Sequence, residues 1–290
     1  MKLIESKAEY IPREGGLKGI YKQIELAGRT AYHSQDKITS TSAKDFVDRM
    51  IKSHHGAALE HGTVYLFIPQ ETNYEVFERY IKNNYSHTFE ILILPRLKGL
   101  YVVTNYRVLV ENNWLDDLQY LCPPTKFHEK RYTMRFTCSR AIANELVRHR
   151  TFSFLQESTR YINYSKERHG GEITYIEPSW NYKYNDNKFE GAEDWNPYMR
   201  ALQQAESSYF EMIDDGCTPQ QARDVLPNAT KTELIMTGFS SDWRFLMDLR
   251  LFEKTGRVHP DMLDLMQKTQ KAMQDAGIWE DIKSKPSKFE

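Results

Sequence analysis

The segment that decides the fold is RYTMRFTCSRAIANELVRHRTFSFLQESTRY, residues 131–161. Its first nine residues alternate polar side chains with apolar, β-branched or aromatic ones, which predicts a half-buried strand. SRAIANELVRHR follows with apolar side chains at helical spacing and predicts a helix. With the elements on either side, this predicts an α+β fold in which helices pack on an antiparallel sheet core.

The end of this segment is dense in hydrogen-bond donors. Three guanidinium groups, an imidazole and two hydroxyls fall within fourteen residues, and aromatic side chains alternate with them. Such a composition favours a folded, partly dry site for an anionic ligand, because an arginine fork donates two parallel charge-assisted hydrogen bonds. The residues alone leave a second interpretation open, a structural salt-bridge cluster that pairs Glu145 and Glu157 with these arginines.

Two geometric expectations follow for this stretch. If SFLQESTRY is extended, Gln156, Ser158 and Arg160 lie on one face, with Glu157 and Thr159 on the other. If the helix continues through the RHR triplet, its neighbouring side chains point about 100° apart. The triplet would then contact two ligands or two subunits.

Periodicity predicts further elements on both sides of this segment. Strands are predicted in HGTVYLFIP and within ILILPRLKGLYVVTNYRVLV, and Ser42 is a candidate N-cap with Asp45 three residues later. The region 168–195 is predicted to be a loop and the tail KSKPSKFE to be frayed. Helices are predicted over 17–33, 42–54, TNYEVFERYIKNN, NNWLDDLQYL, 195–215, 218–225 (begun by Thr218-Pro219), 242–252 and 260–276.

Bulk composition bounds the class of protein. The 290 residues carry a formal net charge of −1, so no overall field draws the chain to nucleic acid or to anionic lipid. The start MKLIESKAEY has charges where a signal peptide needs an apolar run. The three cysteines are odd in number and widely spaced, which is typical of reduced thiols. We therefore expect a soluble, cytoplasmic protein with no membrane or nucleic-acid partner and no zinc site.

The triplet RHR at 148–150, followed after seven residues by Ser158, resembles the signature of the flavin-dependent thymidylate synthases. Ser153 and Arg160 also fall at the family's spacing. The resemblance covers roughly residues 15–68 and 130–275. It implies one domain over 1–290 with an inserted middle region at 70–128. Family-like segments also occur in HHGAALEHGTVYLF (54–67), ELVRHR (145–150), ARDVLPNATKTELIMTG (222–238) and WRFLMDLR (243–250).

The resemblance implies an FAD-dependent reductive methylation of dUMP to dTMP, with methylenetetrahydrofolate and NADPH, in a homotetramer with shared active sites. Arg250 is implied as the catalytic residue that activates the pyrimidine. The implied dUMP contacts are Glu145, Arg148, Gln156, Glu157, Ser158, Thr159, Arg160, Arg223 and Arg250. The implied FAD contacts are His55, Ala57, Arg148, His149, Arg150, Gln156, Ser241, Phe245 and His259.

The chain departs from the family pattern after Thr237-Gly238. Polar flavin contacts are expected there, whereas this sequence has Phe239, Ser241 and Phe245. FAD must therefore be held differently in this chain. The family pattern includes an arginine among these polar contacts, and this chain lacks it. One hypothesis is that Lys254, Arg257 or His259, in or beside the insertion EKTGRV, compensates for its loss.

Several residues of this sequence admit other interpretations. Ser158 lacks the strand and GxSxG context of a nucleophile, and it more plausibly donates to phosphate. Cys122 lies outside the family-like segments and is better explained as a buried or loop thiol. His54, His55, Glu60 and His61 do not have a recognised zinc spacing. The alternative function is a noncatalytic nucleotide or single-stranded RNA binder, and a third option is a structural oligomer scaffold.

Overall fold

The computed structural model describes residues 1–69, 72, 74–91, 99–160, 162–166, 170–180 and 197–283. Parts of the predicted strand region 91–110, Tyr161, most of the predicted loop 168–195 and nearly all of the tail lie outside the described residues. The strands are β1 (Lys2–Ile4), β2 (Lys7–Ile11), β3 (Thr63–Pro69), β4 (His87–Ile91), β5 (Gly99–Asn105), β6 (Arg131–Ser139), β7 (Ser153–Gln156), β8 (Thr174–Ile176) and β9 (Lys231–Phe239).

Helices lie between many of these strands, and after β9 they are the remaining elements of the described chain. Short 3₁₀ turns cover Gln35–Lys37, Leu115–Tyr120 and Arg223–Val225. The helices are α1 (Gly16–Ala31), α2 (Ser42–Lys52), α3 (Gly56–Leu59), α4 (Tyr74–Ile81), α5 (Tyr106–Glu111), α6 (Arg140–Leu146), α7 (Pro197–Asp214), α8 (Pro219–Ala222), α9 (Ser240–Arg250), α10 (Pro260–Asp275) and α11 (Trp279–Ile282).

The central sheet has the order β2-β6-β9-β7, and all its neighbours are antiparallel. This confirms the predicted α+β class with an antiparallel core. The prediction that β6 is half-buried is wrong, because eight of its nine residues are buried and only Arg135 is intermediate. A central strand covered on both faces shows little contrast in burial between its two sides.

One face of this sheet packs on the C-terminal helices. Phe136 and Met236 lie in a core with Trp243 and Leu246 of α9 and with Leu265 of α10. The apolar residues of α9 and α10 recur at helical spacing, so each helix buries one side against the strands. The predicted helices 242–252 and 260–276 are thereby confirmed to within a turn.

The other face of the sheet carries a buried polar chain of hydrogen bonds. Gln23 of α1 donates from Nε2 to Thr133 Oγ1 at 2.6 Å. Thr133 lies opposite Thr237 in the strand register, and their hydroxyls are 2.7 Å apart. His61 Nδ1 lies 2.8 Å from Thr237 Oγ1 and completes the chain. These bonds fix α1 and the segment before β3 against the sheet.

The predicted insertion 70–128 supplies α4, β4, β5 and α5. β5 is central in a second antiparallel sheet of order β3-β5-β4, and its partner β3 precedes the predicted insertion. Val64, Leu66 and Val102 of this sheet share a core with Ile24 of α1 and Phe46 of α2. The middle region is thus packed on the N-terminal helices through the strand it pairs with.

Several element boundaries differ from the predictions. Thr41, not Ser42, is the N-cap of α2, and Ser42 instead accepts a hydrogen bond from the Thr39 N–H and donates to Glu25. Helix α6 ends at Leu146, so the RHR triplet lies in the turn that follows it. The predicted continuation of the helix through the triplet is wrong, and the expected 100° separation of its neighbouring side chains no longer applies. The predicted loop contains the short strand β8, which pairs with β1.

Gly238 allows a close approach inside the main core. A Cβ at this position would lie 2.3 Å from Cδ1 of Phe152, whose ring packs edge-on against Trp243. Gly238→Ala should lower the free energy of unfolding by about 1–3 kcal/mol because the ring must move in a packed core. Urea unfolding measures the loss. Gly15→Ala, with no neighbouring atom within 4 Å, serves as the control, and equal midpoints for the two variants would contradict the prediction.

Candidate functional site

Three residues singled out in the sequence meet where α6 and α9 end. Arg250, the last residue of α9, donates from Nε to His149 Nε2 at 3.3 Å. Its Nη1 lies 3.7 Å from Oε2 of Glu145, which is in the last turn of α6. The Arg250 side chain is 28% exposed, so the guanidinium is held by protein and still reaches solvent.

The electrostatics of this cluster favour a neutral imidazole. Burial lowers the pKa of His149, and the positive charge of Arg250 lowers it further. A neutral His149 accepts the hydrogen bond from Arg250 through its unprotonated Nε2. His149 therefore orients the guanidinium.

Strand β7 and the residues after it hold a second group. Gln156 donates from Nε2 to Thr232 Oγ1 at 3.3 Å. Glu157 is buried and its Oε2 accepts from Lys231 Nζ at 3.1 Å and from the Glu233 N–H at 3.0 Å. Glu157 thus links β7 to β9 and pairs with a lysine, whereas the salt-bridge interpretation paired it with the arginines of the signature.

Burial after β7 follows the predicted period of two, although the strand itself ends at Gln156. Glu157 and Thr159 are buried, Gln156 and Ser158 are intermediate, and Arg160 is exposed. The alternation persists because the backbone N–H of Ser158 donates to Ala31 O and keeps this segment against α1.

Arg160 and Arg223 meet at one residue of α8. Arg160 Nε donates to Oε1 of Gln220 at 3.2 Å, and Arg223 Nε donates to the Gln220 carbonyl at 3.2 Å. Helix α8 begins with a capping box between Thr218 and Gln221, as Thr218-Pro219 in the sequence indicated. Two arginines that the resemblance implies as dUMP contacts are therefore brought to the same helix.

The residues predicted to contact FAD are distributed over several places. His55 and Ala57 line a cavity of about 400 Å³, and His55 Nδ1 lies 2.8 Å from the Tyr32 hydroxyl. The Ser241 N–H donates to Glu129 Oε1 at 2.9 Å. Phe245 is 62% exposed on α9. His259 caps α10 by accepting from the Asp261 N–H.

The signature arginines differ in what they face. Arg148 and Arg150 are both exposed in the turn after α6, and Arg150 borders a cavity of about 640 Å³ between the two sheets. This volume is in the range of small-molecule sites. The cavity also has Glu60, Arg107, Arg131, Ser153, Phe239 and Asp242 in its wall.

Sequence reasoning missed most of this larger cavity. Arg131 is the first residue of β6 and is only 8% exposed, and burial lowers the pKa of its guanidinium to about 10. Nη1 donates to the Glu60 carbonyl at 3.1 Å, and Nη2 donates to Ser153 Oγ at 3.1 Å. The sequence offered one signal for this cavity, which is an arginine at the first position of a predicted strand.

His87 of β4 joins the middle region to this cavity. Its ring stacks on Phe239 with centroids 3.6 Å apart, and its Nδ1 lies 2.5 Å from Oε2 of Glu129. Burial opposes the charge of Glu129, but hydrogen bonds from His87 and Ser241 outweigh it and lower the carboxyl pKa to about 2. Glu129 thereby accepts from an N-terminal amide of α9, and the Phe239 ring is in contact with both the His87 ring and the Arg131 guanidinium.

The fold and the candidate site define an α+β protein with arginine clusters at helix ends and between two sheets. Residues 111–275, more than half of the chain, match the Thy1 family, described as thymidylate synthase complementing protein. The chain belongs to this family.

Its curated relatives are similar over part of their length. A flavin-dependent thymidylate synthase of Pyrococcus furiosus is 32% identical over 117 residues, which are 40% of this chain and 44% of that protein. One of Corynebacterium efficiens is 32% identical over 127 residues, 40% of this chain and 47% of that protein. A probable one of Paramecium bursaria Chlorella virus 1 is 26% identical over 132 residues, 45% and 61%. The chain spans about half the length of the curated relatives it matches.

A UMP/dUMP methylase PolB from Streptomyces cacaoi, bound with 5-Br dUMP, aligns with a TM-score of 0.44 and 17% identity over 97% of this chain and 95% of that one. Within the described part of the chain, every helix is too short or too polar to cross a bilayer.

Proposed function

We propose that this protein is a flavin-dependent thymidylate synthase, which converts dUMP to dTMP with methylenetetrahydrofolate as one-carbon donor and NADPH as reductant. The observation that carries the proposal is the Arg250, His149 and Glu145 cluster, which ties the signature triplet to the end of α9. The relatives named flavin-dependent thymidylate synthase support the same activity.

Arg250 is the residue that activates the pyrimidine. Its guanidinium is oriented by His149 and Glu145 and keeps one side open to solvent. A cation beside the uracil carbonyl or ring nitrogen favours the ionised base, which makes C5 a better nucleophile. Because His149 is neutral, it does not repel that cation or add a competing charge.

Arg160 and Arg223 bind the phosphate of dUMP. Both donate to Gln220 through Nε, Arg160 to its side-chain oxygen and Arg223 to its backbone carbonyl, so one residue of α8 is bonded to both. Two arginine forks on one phosphate supply parallel charge-assisted hydrogen bonds. Ser158 and Thr159 are adjacent donors, whereas Glu157 positions β7 through Lys231 and Glu233.

The residues fit an FAD requirement through the two cavities that adjoin the signature. Arg131 and Arg150 both line the larger cavity and give its wall two guanidinium groups, which suit a polar or anionic ligand group. Arg150 would contact the cofactor from the larger cavity, and His55 and Ala57 from the smaller one. Bound FAD supplies the redox chemistry that completes the methyl group.

The active form is a homotetramer with shared active sites, and the chain forms one domain in which 70–128 is an insertion. Exposed Phe245 and Phe252, at and beyond α9, support an oligomer contact beside Arg250. Large apolar side chains near a functional cluster are typical of subunit interfaces. The signature arginine Arg148 is exposed in the turn after α6 and is available to a neighbouring subunit.

The test is dTMP formation by the purified protein with dUMP, methylenetetrahydrofolate, FAD and NADPH. We expect product only when dUMP and the folate are both present, together with a flavin absorbance band that NADPH bleaches. A flavin-bound protein that forms no dTMP would refute the proposed synthase activity. A colourless protein with steeply salt-dependent RNA affinity would instead support the noncatalytic RNA-binding function.

A further inference from the structure

Lys231, the first residue of β9, lies between two carboxylates. Its Nζ donates to Glu157 Oε2 at 3.1 Å and to Glu233 Oε1 at 3.2 Å. The exposed fraction is 17% for the Lys231 side chain and 5% for that of Glu157. A carboxylate enclosed by protein is unfavourable unless a cation pairs with it and hydrogen bonds satisfy its oxygens. Lys231 therefore stabilises two carboxylates, and Glu157 is the more buried of them.

Both oxygens of the Glu157 carboxylate are held by the protein. Oε2 accepts from Lys231 and from the Glu233 N–H, the latter at 3.0 Å. Oε1 lies 3.6 Å from Nε2 of His33, which follows α1. The backbone N–H of Glu157 donates to the Glu233 carbonyl at 2.8 Å. The Glu157 side chain is thus fixed between the start of β9 and the end of α1.

Glu233 has other neighbours, but among the described residues Lys231 is the cation bonded to it. Gln35 donates from Nε2 to Glu233 Oε2 at 3.3 Å and adds no charge. Arg135 lies in the field of Glu233, but its guanidinium donates to a carboxylate of β2. Glu157, Glu233 and Lys231 therefore form a charge cluster of two carboxylates and one ammonium group. Removing Lys231 would leave the two negative charges close together without a bonded cation.

The charge cluster lies against the segment that the proposed function gives to dUMP. Glu157 and Thr159 are buried, whereas Ser158 is intermediate and Arg160 is exposed. The Glu157 carboxylate is consequently on the inner side of the segment, and Ser158 and Arg160 are on its outer side. A negative charge on the inner side repels a phosphate bound on the outer side, because the interaction falls only as the inverse of distance and is strong where water is excluded. A cation beside that carboxylate offsets the repulsion.

We propose that Lys231 is a positioning residue for the phosphate of dUMP and that it acts through Glu157. It compensates the buried carboxylate and fastens the segment 157–160 to β9. This rests on the proposed function, in which Arg160 and Arg223 touch the phosphate. Lys231 differs from those arginines because its ammonium group is bonded to the two carboxylates. Glu157 accordingly serves dUMP through its position and its charge balance.

The experiment is a calorimetric titration with dUMP at pH 8, where ordinary carboxylates are ionised, in the presence of FAD. Lys231→Met keeps the length of the side chain and removes its charge. Glu157→Gln removes the carboxylate charge and keeps an oxygen that accepts hydrogen bonds, and a double variant combines the two. Lys268→Met is the matched control, because Lys268 is also a half-buried lysine paired with a carboxylate, that of Asp264 at 2.7 Å on α10.

We expect Lys231→Met to weaken dUMP binding at least about 10-fold, because the cluster then holds two uncompensated carboxylates. The double variant has the same net charge in the cluster as wild type and should recover to within about 3-fold of wild-type affinity. Glu157→Gln alone makes the cluster neutral and should tighten dUMP binding about 3-fold. Lys268→Met should bind dUMP as wild type does.

Wild-type dUMP affinity of Lys231→Met would overturn the inference. A double variant as weak as Lys231→Met would also do so, because a purely structural lysine is not rescued by removal of a charge. If Lys231→Met fails to fold by circular dichroism, Glu157→Gln decides, since weaker dUMP binding by that variant contradicts charge compensation.

Failure of this role is distinguishable from failure of the synthase. Formation of dTMP by wild type, together with unaltered dUMP binding by Lys231→Met, refutes only the role of Lys231. Absence of dTMP, together with the expected order of dUMP affinities, refutes only the synthase activity. A wild-type protein that does not bind dUMP overturns both.

Discussion

Replacing Arg250 with alanine should lower kcat at least about 100-fold, the scale seen when one donor to a developing charge is removed. The guanidinium is held by His149 and Glu145 and keeps its outer edge exposed, so the loss should fall on the reaction. Flavin content should be unchanged. Steady-state kinetics with dUMP, together with the flavin absorbance of each preparation, measure both quantities.

Arg244→Ala is the control for this variant. Arg244 is on the same helix and donates to the carbonyls of Ile282 and Asp281, so it tests the packing of α9 alone. We expect Arg244→Ala to lower thermal stability and to keep kcat near the wild-type value. A loss of bound FAD proportional to the loss of turnover in Arg250→Ala would show that Arg250 is structural.

The second large effect concerns acid stability and His61. Burial, reinforced by the positive charge of Arg131, lowers the pKa of His61 from 6.5 to about 3. The unfolded chain therefore takes up a proton below pH 6.5 that the folded protein refuses until about pH 3. Stability from this group is complete above pH 6.5 and is lost as the pH falls. One pKa unit is about 1.4 kcal/mol, so the shift corresponds to about 5 kcal/mol, which is reached in full only near pH 3.

Urea unfolding of wild type and His61→Gln between pH 7 and pH 4 measures this contribution. The variant should be less stable at pH 7, because the hydrogen bond to Thr237 changes, and its stability should depend less on pH. Carboxylates titrate in both proteins and cancel in the difference. His54→Asn, at an exposed position with φ of 56°, is the control and should keep the wild-type slope. Parallel curves for wild type and His61→Gln would rule out the buried histidine as the cause.

Local patterns predicted the elements whose residues show a clear period. The strand β6 and the helices α9 and α10 were found this way because each repeats its apolar residues at a fixed spacing. Periodicity does not predict the strand β9, although its segment resembles the family. Seven of its nine residues are buried, and the last six are consecutive, so burial does not alternate along it. The strand β8 is too short to carry a period.

The RHR signature indicated a candidate site through residues close in sequence. The resemblance added Arg250, which the fold brings within hydrogen-bonding distance of His149. It could not reveal the cavity at Arg131. That wall combines His87, Asn105, Arg150 and Phe239, which are separated by long stretches of chain and meet only after two sheets have packed.

The sequence by itself determined the α+β class, the periodic helices and the arginine-rich signature, because these depend on residue spacing within one segment. Tertiary structure alone decided where α6 stops, which carboxylates are paired and which guanidinium is left without one. Those properties depend on burial and on contacts between distant segments. Arg131 shows the difference, since the same arginine at an exposed strand end would be a solvated charge, and here it is enclosed by two sheets.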